Sequence, residues 1–156
     1  MTSTITSAKL KVTITESVKL KGKDQGATTE LTIPDINEVA SRIVTATTTE
    51  AVIIAMGTAI AAGQFLESKV RYIRITNLDD TNHVSLTFRN EDSDEFGVKL
   101  DKGQSFIYNG DLSGGVVDTM EAAATAITPG TFADLVDITA KADTASCDLE
   151  VFVASA

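Results

Sequence analysis

A hydrolase needs a nucleophile, a general base and a group that orients the base, and this 156-residue chain offers one histidine, His83, and one cysteine, Cys147. His83 ends the polar run Leu78-Asp-Asp-Thr-Asn-His83, whose Asp and Asn residues suit turn conformations, so the run reads as a solvated loop between strands. Cys147 opens the alternating run Cys147-Asp-Leu-Glu-Val-Phe-Val153 on the side of Leu149 and Val151, which marks it as a small buried apolar residue. It has no partner for an internal disulfide, although pairing between chains stays open. One Cys and one His do not supply the three or four N and S ligands of a zinc site. A hard cation asks only for oxygen. Asp92 and Asp94 in Glu91-Asp-Ser-Asp-Glu95, joined by Asp79 and Asp80 from the neighbouring turn, form a candidate calcium set without the spacing of an EF-hand loop. The reading set above it is a plain acidic turn.

Gly110-Asp-Leu-Ser-Gly-Gly115 is rich in glycine but lacks the Lys-Ser/Thr ending of a phosphate loop, and it reads as a connection. A carboxylate pair for sugar chemistry finds little support in a chain with 5% aromatic residues and no Trp, because sugar sites draw on stacking surfaces. No residue is therefore assigned to catalysis or to a cofactor, and the chain is expected not to be an enzyme. A cupin-like metal barrel is weighed and set aside on the single histidine.

The elements that would carry these residues are strands. Leu10, Val12, Ile14, Val18 and Leu20 fall at even spacing within Lys9–Leu20, Lys21-Gly-Lys-Asp-Gln-Gly26 supplies a turn, and Thr28–Ile33 returns, which predicts a hairpin. A strand is expected from about Arg42, after a possible short helix at Asn37–Arg42. Glu50–Met56 reads as a strand covered on both faces. Val70–Asn77 and Val84–Asn90 read as a second hairpin, followed by Phe96–Leu100 and Ser105–Tyr108. Val117–Ala126 is the other candidate for a short helix, and Leu135–Ala140 with Asp148–Ala154 reads as a closing hairpin. Turns every eight to twelve residues predict an all-β fold, a single antiparallel β-sandwich with jelly-roll-like topology over residues 1–156, with residues 1–8 as a candidate N-terminal arm.

Charge narrows the partners. The chain carries 13 Lys and Arg against 22 Asp and Glu, a net charge of −9, which argues against nucleic acid, where binding depends on concentrated basic charge. No run reaches the roughly 18 consecutive apolar residues of a membrane-spanning helix. The opening Met1–Ser7 lacks the basic start and apolar stretch of a secretory signal, so no export by that route is expected.

The segment Val70-Arg-Tyr-Ile-Arg-Ile-Thr-Asn77, followed by Val84-Ser-Leu-Thr-Phe88 and Val98-Lys-Leu-Asp-Lys-Gly-Gln-Ser-Phe-Ile107, resembles small virion structural proteins of tailed bacteriophages. In those proteins a strand ending in Asn, a polar turn, a second strand and a Leu-x-x-Gly-x-Ser-Phe-Ile turn recur. The resemblance covers about Val70 to Tyr108. Its physical content is that Asn77 could end a strand in a left-handed conformation and Gly103 could permit a tight reversal. It implies a place on the virion, as a capsid decoration or cement protein that binds the major capsid protein or other virion proteins. A tail or fibre component, including a receptor- or glycan-binding module, is the alternative. A homo-oligomer is expected, with a trimer favoured because it matches threefold positions on a shell.

Overall fold

The alternation along the chain becomes thirteen strands in a computed structural model that describes residues 4–128, 130 and 132–156. They are β1 (Ala8–Thr15), β2 (Lys19–Leu20), β3 (Lys23–Asp24), β4 (Thr28–Ile36), β5 (Glu38–Ala46), β6 (Ala51–Gly57) and β7 (Phe65–Leu66). The rest are β8 (Val70–Asn77), β9 (Val84–Asn90), β10 (Glu95–Leu100), β11 (Ser105–Asn109), β12 (Leu135–Ala142) and β13 (Cys147–Ser155). No helix forms among the described residues. The helix considered at Asn37–Arg42 is instead the start of β5, and Val117–Ala126 is irregular chain held by the isolated Met120–Ala133 bridge.

Two sheets face each other, ordered β10-β9-β12-β6-β7 and β11-β8-β13-β5. The pairing is nested: β5 with β13, β6 with β12, β8 with β11, and β9 with β10, all antiparallel. That is one long hairpin rolled up until β8 meets β13 and β9 meets β12, the jelly-roll wrap of a β-sandwich. The rolling corrects two expectations. β8 and β9, read as a hairpin, lie in opposite sheets, and so do β12 and β13. In both cases the polar connection is long enough to cross the sandwich, and local alternation records which face is buried but not which sheet a strand joins.

The core fills the space between the sheets. Val84, Leu86 and Phe88 of β9, Ile138 and Ala140 of β12 and Ile54 of β6 meet Ile73 and Ile75 of β8 and Leu149, Val151 and Val153 of β13. Phe88 lies at its centre with no exposed surface. It stacks on Phe96 at 4.7 Å and 2°, and contacts Phe106 at 5.1 Å and Tyr108 at 5.5 Å across the gap. Burying each large apolar side chain contributes roughly 2 kcal/mol. The apolar run in β6 has a different origin from two-sided cover. A register shift opposite Ile138 and Thr139 leaves Ile53 bulged, so Ile53 and Ile54 are both buried while Val52 faces solvent.

A second, smaller cluster lies outside the sandwich. Ile33 and Ile36 of β4 pack with Tyr72 and Ala154 on the outer face of the four-stranded sheet, with Leu10, Val12, Leu31, Ile107 and Phe152 around them. The expected N-terminal hairpin is thus real, as β1 with β4, and it lies across the back of the sandwich as a strap.

Candidate assembly surfaces

The strap owes its position to alternation, broken by one bulge at Asp35 (φ 57°) that keeps both Ile33 and Ile36 buried. Leu10 opposite Ile33 and Val12 opposite Leu31 turn one face of the hairpin to the sheet, while Lys11 and Glu30 on the other face form an exposed ion pair at 2.8 Å. Beneath it Tyr72 and Phe152 meet edge to face at 6.0 Å, and the Arg74 guanidinium lies 5.8 Å from the Phe152 ring centre. Where Val12 and Ile14 lift away from Arg74, Ser105 and Ile107, an open cleft of about 440 Å3 remains.

Past Thr15 the hairpin continues as a narrow ribbon. The Gln25 N–H donates to the Val18 carbonyl at 2.9 Å, β2 pairs with β3, and Lys21 and Gly22 turn the chain at φ of 49° and 79°. Two successive positive φ values are those of a type I′ hairpin turn, whose twist suits the flanking strands. Within residues 17–25 the ribbon carries Lys19, Lys21 and Lys23 against Asp24 alone, in a chain of net charge −9. Val18 and Leu20 are 50% and 63% exposed, and among the described residues no hydrogen bond or ion pair ties 17–25 to anything outside the hairpin.

A second uncovered surface lies on the sandwich itself. The strap shields the outer face over β8, β11 and β13 but leaves β5, the edge strand, open, with Val39 and Ile43 at 55% and 65% exposure. Next to Ile43, the residues Thr45, Leu78, Asp79, Asp80, Ser146 and Asp148 complete an open cleft of about 550 Å3. Its chemistry is apolar and acidic. Asp148 accepts from the Thr45 hydroxyl at 2.7 Å and Asp80 from the Thr81 hydroxyl at 2.8 Å. Asp79 accepts the N–H groups of Thr81 and Asn82, which hold its carboxyl below the usual carboxylate range.

No family model matches this chain and no curated protein matches it. One solved structure that aligns comes from a study entitled "Bacillus endospore appendages form a novel family of disulfide-linked pili". It covers 99% of this chain and 96% of that one, with 10% identity and a TM-score of 0.43. A superposition at that level does not establish a shared fold.

The residues singled out by chemistry take structural posts. Asp79 and Asp80 lie in the turn before β9, Asp92 and Asp94 in the turn after it, so seven residues of strand separate the pairs and the four do not form one calcium set. Among the described residues no group of three or more His, Cys, Asp or Glu side chains is arranged to hold a metal ion. His83 Nε2 stands 4.0 Å from Asp143 Oδ1, and the His83 carbonyl accepts from the Asp143 N–H at 3.2 Å. Cys147 is buried, and burial together with the charges of Asp79 and Asp148 pushes its thiol up. Gly110–Gly115 closes on itself. Asp111 accepts the N–H and hydroxyl of Ser113 and the N–H of Gly114, which bring its carboxyl down to about 2.

Asn77 ends β8 as expected, but without the left-handed conformation. It is wholly buried inside the end of β8 and has no positive φ. Its side chain ties the β8–β9 loop to the end of β10: Nδ2 donates to the Asn82 and Leu100 carbonyls at 3.0 and 3.2 Å, and Oδ1 accepts the Asp79 N–H at 3.0 Å. Gly103 does turn the chain at φ 71°. Of the expected arm at 1–8, Met1–Ser3 lie outside the described residues, while Ser7 donates to Asn37 at 2.8 Å just before β1. The basic ribbon was missed by sequence reasoning. Its signal is the alternate lysines around Gly22 in an otherwise acidic chain.

Proposed function

We propose that the chain is a structural subunit of a phage particle, specifically a decoration protein that binds the major capsid protein and stabilises the shell. The observation that carries this reading is a jelly-roll body that projects a hairpin whose apolar, basic tip finds no cover among the described residues of its own chain. Exposed apolar groups on a projecting, internally hydrogen-bonded ribbon mark a contact surface. The resemblance of Val70–Tyr108 to small virion proteins supports placing that contact on a virion. The eight aromatic side chains are all buried or half-buried, which leaves no open stacking platform for a glycan and favours the shell over a sugar-binding tail module. The test is reconstitution. Shells of the parent phage made without this chain should take up the purified protein and gain resistance to heat. Absence of binding to such shells would refute the decoration role, and labelling confined to the tail would transfer the chain to the alternative.

A further inference from the structure

The two uncovered surfaces match each other in chemistry. On the ribbon, Leu20 is paired with Lys23, and Val18 lies two residues before Leu20, so one face presents two apolar groups beside a cation. Lys21 stands at the adjoining turn, and Lys19 lies on the opposite face, paired with Asp24. On the body, Ile43 and Leu78, 65% and 46% exposed, lie among Asp79, Asp80 and Asp148, and no Lys or Arg lines that cleft. The strap reaches its own sheet over Tyr72, Ile107 and Phe152, and none of its residues lines the cleft beside Ile43. Within one molecule, then, the ribbon leaves this acidic cleft unoccupied.

We propose that the cleft is occupied by the hairpin ribbon of a second copy, with Val18 and Leu20 against Ile43 and Leu78 and with Lys23, beside Lys21 at the turn, facing Asp79, Asp80 and Asp148. Charge complementarity selects the occupant. A second copy supplies an apolar tip with a local excess of cations, whereas the remainder of this chain is strongly acidic and would be repelled by the same three carboxylates. Ribbon and cleft are different surfaces, so the contact is heterologous: copies join head to tail and either close into a ring or run on as a filament. This deepens the structural-subunit reading and rests on it only in taking the chain to self-assemble.

The experiment is sedimentation of the purified full-length chain over a range of concentrations, with three variants: Lys21→Glu/Lys23→Glu, Asp80→Lys/Asp148→Lys, and the four changes combined. All four sites are exposed, and circular dichroism confirms folding of each variant. The wild type is expected to associate, each charge reversal to weaken association by roughly tenfold or more, and the combined variant to recover it. An equimolar mixture of Leu20→Cys and Ile43→Cys chains should form a disulfide-linked pair under oxidation, which neither variant forms alone. A wild type that stays monomeric overturns the proposal, and so does association that ignores the reversals. The outcomes are separable from those for the decoration role. Self-association without shell binding would sink only the virion reading, and shell binding by a monomer would sink only this contact.

Discussion

Asn77 shows how much of this structure hangs on single polar residues in turns. Its amide satisfies three backbone groups, two in the loop before β9 and one at the end of β10. Asn77→Leu leaves the Asn82 and Leu100 carbonyls and the Asp79 N–H without that partner, and the expected cost is about 3 kcal/mol, read as a fall in Tm of roughly 10 °C. Glu67 works in the opposite sense. It is 7% exposed, and burial first, then the charge and hydrogen bond of Asp134, then the charge of Glu91, raise its carboxyl above the ordinary value. A carboxyl raised by folding carries no penalty below its unfolded value of about 4.5, where both states hold the proton. The penalty grows as pH rises through the folded value. Glu67→Gln should therefore raise Tm at pH 8 and leave it little changed at pH 3.5; an equal gain at both would mean the raised carboxyl is not the cause. Of these residues the sequence singled out Asn77 alone, for its position at a strand end. The bridging amide depends on the end of β10 being brought to the β8–β9 loop by the fold, and the raised carboxyl of Glu67 depends on Asp134 and Glu91, far along the chain.

At the scale of elements, alternation made most strands legible, because each buries one face and leaves the other wet. The hairpin of β1 with β4 was readable because alternation resumes on the far side of the Lys21–Gly26 turn. The pairings of β8 with β13 and of β9 with β12 were not, since a rolled hairpin joins strands dozens of residues apart and no local pattern encodes that partner. The strap has the least support of any long element: one hydrophobic face, few side chains deep. Ile33, 1% exposed at its centre, should anchor it. Ile33→Ser is expected to free the hairpin while the sandwich stays folded, so limited trypsin digestion would cut at Lys9 to Lys23 much faster than in the wild type. Core fragments should retain the protection of β9 and β12 in hydrogen exchange. Phe88→Ala acts on the other cluster: it removes the ring that three aromatics surround and should cost about 4 kcal/mol of global stability, measured by denaturant unfolding, with the strap and body lost together.

For the whole molecule the governing feature is the division of charge and apolar surface. An acidic jelly-roll body carries a strap whose tip is locally basic, and each bears uncovered apolar side chains. Composition revealed the acidity but averaged away the tip, and only the fold showed that tip and cleft lie on separate parts of one copy. A body of this kind suits repetitive attachment, where acidity limits non-specific association and a projecting hairpin supplies a directed contact. The most direct measurement is a density map of the phage particle to which the proposal assigns the chain. The result expected is jelly-roll density on the outer surface of the shell at symmetric positions, each with its hairpin ribbon reaching a neighbouring copy. Particles whose shell carries no such density, with the chain confined to the tail or missing from the particle, would contradict the decoration role.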